Sequence, residues 1–185
     1  MSVVKSKRKT SRFEAQHQLL ILRNEVTNLA INQFGFSAEK YELQIKRYAE
    51  QHKTAANVDA VVERWRNKKD NFTAWFIAEE REVVLEILRR ITEEFTVANS
   101  IFLNGADEEI SKAEITERRL HMDRAIAQCF VLKQEIQYVM KVLPVDMNKF
   151  KRFADMIDTE ITLIKGVRRS DNRFLKNQKG ESVKS

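Results

Sequence analysis

Residues 71–103 read NFTAWFIAEEREVVLEILRRITEEFTVANSIFL, with no Gly and no Pro. Apolar side chains recur at Ile77, Val84, Leu88, Ile91, Phe95, Ala98 and Phe102, in steps of seven, four and three. Phe76, Val83 and Ile87 widen that stripe on one flank. This is the period of a helix that buries one face. At about 1.5 Å of rise per residue, such a helix is roughly 50 Å long. It cannot cover its stripe alone, so it requires long helical partners lying alongside it.

The rest of the chain supplies them. Ser11 is placed to cap a first helix, with Glu14 completing a capping box. That helix is expected to run to about Phe34, with a stripe at Leu19, Leu22, Val26, Leu29 and Gln33, flanked by Leu20, Ala30 and Ile31. Gly35 stops it. Downstream of the quoted stretch, Asn104-Gly105 is a helix stop, and residues 107–114 read as a loop or a ragged first turn. The pattern then returns at Ile115, Met122, Ile126, Cys129, Ile136, Met140 and Leu143, flanked by Ala125, Leu132 and Val139. Pro144 closes that helix, because the residue before a proline avoids helical angles. Asp146 caps the last helix, whose stripe is Phe150, Phe153, Ile157, Ile161 and Ile164.

Between Gly35 and the long helix the apolar positions thin out. Ser37 starts a shorter helix over 38–52, carrying Tyr41, Leu43, Ile45 and Tyr48. Asn57 is placed to cap another, with Val58, Val61, Val62 and Trp65, which runs on into the long helix near Asp70. The expected fold is therefore all-α: an antiparallel four-helix bundle with a helical insertion between its first and second helices. Residues 1–10 form a flexible basic arm, 11–176 a single domain with its insertion at 36–70, and 177–185 a disordered tail.

Composition supports one globular domain. Of the 185 residues 43% are hydrophobic and 32% charged, too apolar for a disordered chain. No run of eighteen apolar residues is present, so no membrane span is expected. The opening MSVVKSKRKTSR has charge without an apolar segment behind it, unlike a signal peptide. A single cysteine, Cys129, forms no intramolecular disulfide, and a reduced cytoplasmic setting is the default.

The net charge of +6 is concentrated at the ends. Residues 1–12 hold Lys5, Lys7, Arg8, Lys9 and Arg12 and no acid; residues 149–185 hold ten basic residues against five acidic ones. The two ends together carry +10, leaving −4 on the middle. Such a basic rim suits a polyanionic partner. The sharpest cluster is Lys165, Arg168, Arg169, Arg173 and Lys176, with Arg168 on the continuation of the stripe 157, 161, 164. Cations there complement the helix dipole for purely structural reasons. Arginine also forks onto phosphate oxygens, and the arm at 5–12 favours that second use.

Other constellations weigh less. Arg89-Arg90 and Arg118-Arg119 read as solvated pairs facing Glu86, Glu93, Glu94 or Glu117. A di-metal carboxylate centre requires two inward Glu-x-x-His motifs; Glu14-Ala-Gln-His17 is the single match, so no metal or other cofactor is expected. Cys129 lies on an apolar seam and reads as an inert buried thiol. No glycine-rich phosphate loop and no Gly-x-Ser-x-Gly occurs, so the chain is not expected to be an enzyme. Trp65, Trp75, Phe72 and Phe76 read as core before base-stacking groups. Asn99 and Ser100 interrupt an apolar stretch and require partners, either to fix helix register or to face a second subunit.

Four segments carry a family resemblance: VVKSKR at 3–8, RFEAQHQLLILRNEVTNLAI at 12–31, RRITEEFTVANSIF at 89–102 and GVRRSDNRFL at 166–175. Together they resemble the accessory variability determinant (Avd) proteins, small four-helix bundles encoded beside the reverse transcriptases of diversity-generating retroelements. The family pattern has a basic start, a segment ending "AN.I(F/V)" and an arginine-rich "R..D.R(F/Y)" ending. The resemblance covers residues 1–34 and 80–175; the insertion at 36–70 replaces a short connection. It implies a basic homo-oligomer, pentameric in the family, without a catalytic centre. Such a protein binds the reverse transcriptase and RNA or DNA in mutagenic cDNA synthesis. The phosphate contacts would fall to Lys5, Lys7, Arg8, Lys9 and Arg12 of the arm, and to Lys165, Arg168, Arg169, Arg173 and Lys176. The runner-up is a protein–protein scaffold with no direct nucleic-acid binding. A metal-dependent oxidase is a third class, recognisable by bound iron or manganese.

Overall fold

The computed structural model describes residues 11–102, 108–143, 145–146 and 148–181, with side chains through 102, from 112 to 146 where described, and over 148–171. The described residues contain no strand. Six α-helices follow in order: α1 (Arg12–Ile31), α2 (Ala38–Gln51), α3 (Val58–Lys68), α4 (Ala74–Ser100), α5 (Glu108–Val142) and α6 (Asn148–Glu181). The basic arm, the Asn104-Gly105 stop and Pro144 lie outside the described residues.

The ends of the helices follow local chemistry. Ser11 Oγ accepts the backbone N–H of Glu14 at 3.0 Å, and Ser37 Oγ that of Lys40 at 3.3 Å. Each takes up a donor that the helix cannot satisfy itself. Asn57 makes no side-chain cap. Asp146 Oδ1 accepts the N–H of Asn148 at 2.9 Å at the start of α6. α1 stops at Ile31 and passes into a 3₁₀ turn over Gln33–Gly35, where Gln33, Phe34 and Gly35 have φ of 52°, 54° and 81°. A left-handed phenylalanine is an uncommon conformation. Here it turns the Phe34 ring fully into the core.

α3 and α4 are one continuous helical path. A π-helical turn at Lys69–Thr73 joins them, and Thr73 Oγ1 donates to the Lys68 carbonyl at 3.2 Å. α4 itself has 27 residues, about 40 Å of helix. α5 starts at Glu108, so the acidic segment expected as loop or ragged turn is helical from there.

α1 packs on α4 and α6, and α5 packs on the same two helices. The α1–α4, α1–α6 and α4–α5 pairs run antiparallel. Arg81 Nε at one end of α4 donates to the Ala30 carbonyl at the far end of α1 (3.2 Å), and Arg152 near the start of α6 pairs with Glu25 of α1 (2.8 Å). His121 lies 2.6 Å from Glu94 and the Phe76 ring 5.8 Å from Tyr138 at the other end of the α4–α5 seam. One continuous core joins the four helices, with Leu22, Val26, Val84, Leu88, Ile91, Met122, Leu132, Ile136, Ile157 and Ile164 fully enclosed. Burying each large aliphatic side chain contributes about 1.5–3 kcal/mol.

Some edges of the expected stripes fail. Gln33, Leu20 (64%), Ile31 (60%) and Phe102 (70%) are exposed, because they sit past a helix end or on the far flank of the seam. The insertion has its own small core of Tyr41, Ile45 and Val62, edged by Tyr48, Val58 and Trp65. Phe36 packs against both cores and links them. Glu42 accepts from Lys69 (2.8 Å) and pairs with Arg66 (3.3 Å), tying α2 to α3 and to the π turn.

Candidate nucleic-acid interface

α1 begins beside Asp171, ten residues before the end of α6, and this meeting organises the basic surface. Asp171 of α6 lies 3.9 Å from Arg12 of α1 through Oδ1. Through Oδ2 it accepts from Arg118 Nε of α5 at 2.6 Å. The same Arg118 donates through Nη1 to the carbonyls of Ala98 (2.8 Å) and Ile101 (3.1 Å), which close α4. One guanidinium of α5 thus ties α6 to the end of α4, and its carboxylate partner reaches the start of α1.

Arg118 is fully buried and Asp171 is 5% exposed. This corrects the reading of Arg118 as part of a solvated pair. It lies three residues after Ile115 and four before Met122, on the buried seam itself. Arg89 and Arg90 do match that reading: both pair with Glu86, at 2.6 and 3.2 Å, on an exposed face. A buried guanidinium is tolerated because its charge is paired and most of its donors are used. Its Nη2 has no partner in the structure, and neither does the nearby Asn99 Oδ1. Ser100 instead returns its hydroxyl to the Val97 carbonyl of its own helix at 2.8 Å.

Of the basic residues singled out from the sequence, Arg12, Lys165, Arg168 and Arg169 have described side chains. Arg12 keeps 41% of its side chain exposed. Burial, and then the Arg118 charge, pull its guanidinium below the ordinary value, while Asp171 pushes it back up. Lys165 is half-buried, its ammonium 5.9 Å from the Phe130 ring centre. Arg168 is 39% exposed and paired with Asp123 of α5. It does not continue the apolar stripe as expected; Val167 and Asp171 do, at one step of three and one of four after Ile164. Arg169 is exposed. Arg173 and Lys176 fall on the helical backbone of α6, with side chains beyond those described, and Lys5, Lys7, Arg8 and Lys9 precede the described residues. The structure therefore brings Arg12 to the α6 cluster, which no spacing in the sequence indicated.

Three further titratable groups lie along the helices. Glu160 is fully buried on the α6 seam and neither carboxylate oxygen has a partner; burial pushes its pKa up to about 8. Cys129 of α5 is likewise fully buried, and burial first, then Glu160, push its thiol well up. A thiol held in its protonated form is a poor nucleophile. Glu80 of α4 is pushed up to about 7, by burial first and then by Glu135 of α5. Among the described residues no group of three or more His, Cys, Asp or Glu is placed to hold a metal ion, and no helix is long and apolar enough to cross a membrane. Of the aromatics, Phe76 is buried, Trp65 belongs to the small core and Trp75 is 60% exposed. No protein-family model, curated protein or solved structure matches the chain.

Proposed function

We propose that this protein is a non-catalytic accessory factor of a diversity-generating retroelement. On this reading it is an antiparallel four-helix bundle that binds template RNA or cDNA together with the partner reverse transcriptase. It assembles in the cytoplasm as a homo-oligomer, a pentamer by the resemblance. The observation that carries the nucleic-acid part is the position of Arg12 beside the basic stretch of α6. Arg12, at the root of the arm, stands beside Asp171, within one turn of Arg168 and Arg169. Phosphate contact by such a cluster gives affinity without sequence reading, so binding is broad and sensitive to salt.

Fluorescence anisotropy of a labelled single-stranded RNA across a salt series tests it. Log affinity should fall linearly with log salt, by about 0.7 for each phosphate neutralised. Replacing Arg168, Arg169 and Arg173 together by glutamine should weaken binding and flatten that slope by about 2 while the helical melt is retained. Unchanged affinity would remove the α6 end as the site. No binding of the wild-type protein at low salt would leave the scaffold reading, in which the basic ends meet an acidic protein. That alternative draws on one observation: Arg12 and Arg168 already face carboxylates, Asp171 and Asp123.

A further inference from the structure

A groove of about 350 Å³ runs between α1 and α4 at the same end of the molecule. Its floor is Leu19 and Phe95, 3% and 1% exposed. One wall is the outer face of α1, where Phe13, His17, Leu20 and Arg23 follow one another at helical spacing. Phe13 is 83% exposed, an unusual position for a phenylalanine on an otherwise ordered helix. It directly follows Arg12. Arg23 stands ten residues further on, about 15 Å along the helix. The lining holds a guanidinium and an imidazole and no carboxylate, although both helices carry glutamates elsewhere.

We propose that this groove takes unpaired bases of a single-stranded nucleic acid. One base would stack on Phe13, with phosphates elsewhere on the same strand held by Arg12 and Arg23. The inference rests on the nucleic-acid reading above and adds to it a place for the bases. Single strands are held by aromatic faces set among cations, because every base has a stacking face and every link a charge. The groove offers that pairing, and Phe13 is the chain neighbour of Arg12 in the phosphate cluster. Its apolar floor suits the face of a base, and its cationic lining makes an acidic strand a better occupant than a basic one.

The test compares a labelled oligoadenylate with an abasic oligonucleotide of equal length, each titrated with the full-length protein. Phe13→Ala should lower oligoadenylate affinity between about fivefold and about 150-fold, the range for one lost base stack. It should leave the salt slope and the abasic affinity unchanged, since no charge is removed. Phe13→Tyr should restore the wild-type value. Arg23→Gln should flatten the salt slope by about 0.7 for either probe. Because Phe13 is exposed, its loss should not alter the thermal melt. Wild-type binding that Phe13→Ala leaves unchanged, or weakens equally for the abasic strand, overturns the groove and spares the phosphate cluster. A change in oligomer mass on Phe13→Ala also overturns it, by making the groove a contact between copies. Failure of the wild-type protein to bind either probe at low salt removes both readings.

Discussion

Replacing Glu160 with methionine should stabilise the protein, by an amount that grows with pH. Glu160 sits on the α6 seam between Ile157 and Ile164, fully enclosed, with both oxygens unpartnered. Its carboxyl is raised from 4.5 to about 8 by burial. Below pH 4.5 the folded and unfolded chains both hold the proton, and Glu160 adds no pH dependence. Above that, the unfolded chain releases its proton while the folded chain keeps it. Stability from this group is therefore lost as pH rises, up to the folded pKa. Each unit of difference is worth about 1.4 kcal/mol, so the loss reaches about 3 kcal/mol at pH 7 and about 5 kcal/mol from pH 8 upward. Methionine has a similar length and no charge, and fills irregular core space well. It also removes the two orphaned oxygens, which adds a pH-independent gain of about 1–3 kcal/mol. Urea unfolding of wild type and Glu160→Met, followed by helical circular dichroism from pH 5 to pH 9, measures both parts. Other titrating groups, Glu80 among them, cancel in the difference between the two proteins. A difference that stays constant across that range would refute the reasoning, as would a variant less stable than wild type at pH 8.

Two other outcomes follow from the same physics. Arg118→Met should cost about 3–5 kcal/mol in urea unfolding, because it leaves the buried Asp171 with only the more distant Arg12 and frees two helix-ending carbonyls. Adding Asp171→Leu should recover most of that loss; no recovery would show that the carbonyl bonds, not the carboxylate, set the cost. Cys129 should resist a thiol-specific disulfide reagent in the native protein and react only as fast as the chain unfolds; rapid native labelling would contradict its burial and its raised pKa.

The helical period was legible wherever a helix buries a wide apolar stripe. Every expected core position of α5 from Ile115 to Leu143 is buried, and the α4 stripe holds from Phe76 to Ala98, except for its flanking Val83. Apolar spacing is a property of one helix, and one helix is enough to read it. The caps at Ser11 and Ser37 were legible for the same reason, since a cap satisfies donors three residues away. The charge segregation that motivates a polyanion partner is likewise written in the order of the residues.

The Arg118–Asp171 clasp was not legible, because it depends on which helices touch. Arg118 and Asp171 are separated by 53 residues, and each sits where the local pattern asks for an apolar side chain. A polar residue on a seam reads as noise until a partner of opposite charge is seen across the interface. Glu160 shows the other outcome of the same ambiguity: the seam position is real, but no partner meets it. Sequence order alone settled the long helical stripes, the Ser11 cap and the segregation of charge, since each of these arises within a few turns of chain. Only the tertiary structure could bring Arg12 to Asp171 of α6 and open a groove beside Phe13, because both are made by side chains from helices far apart in sequence.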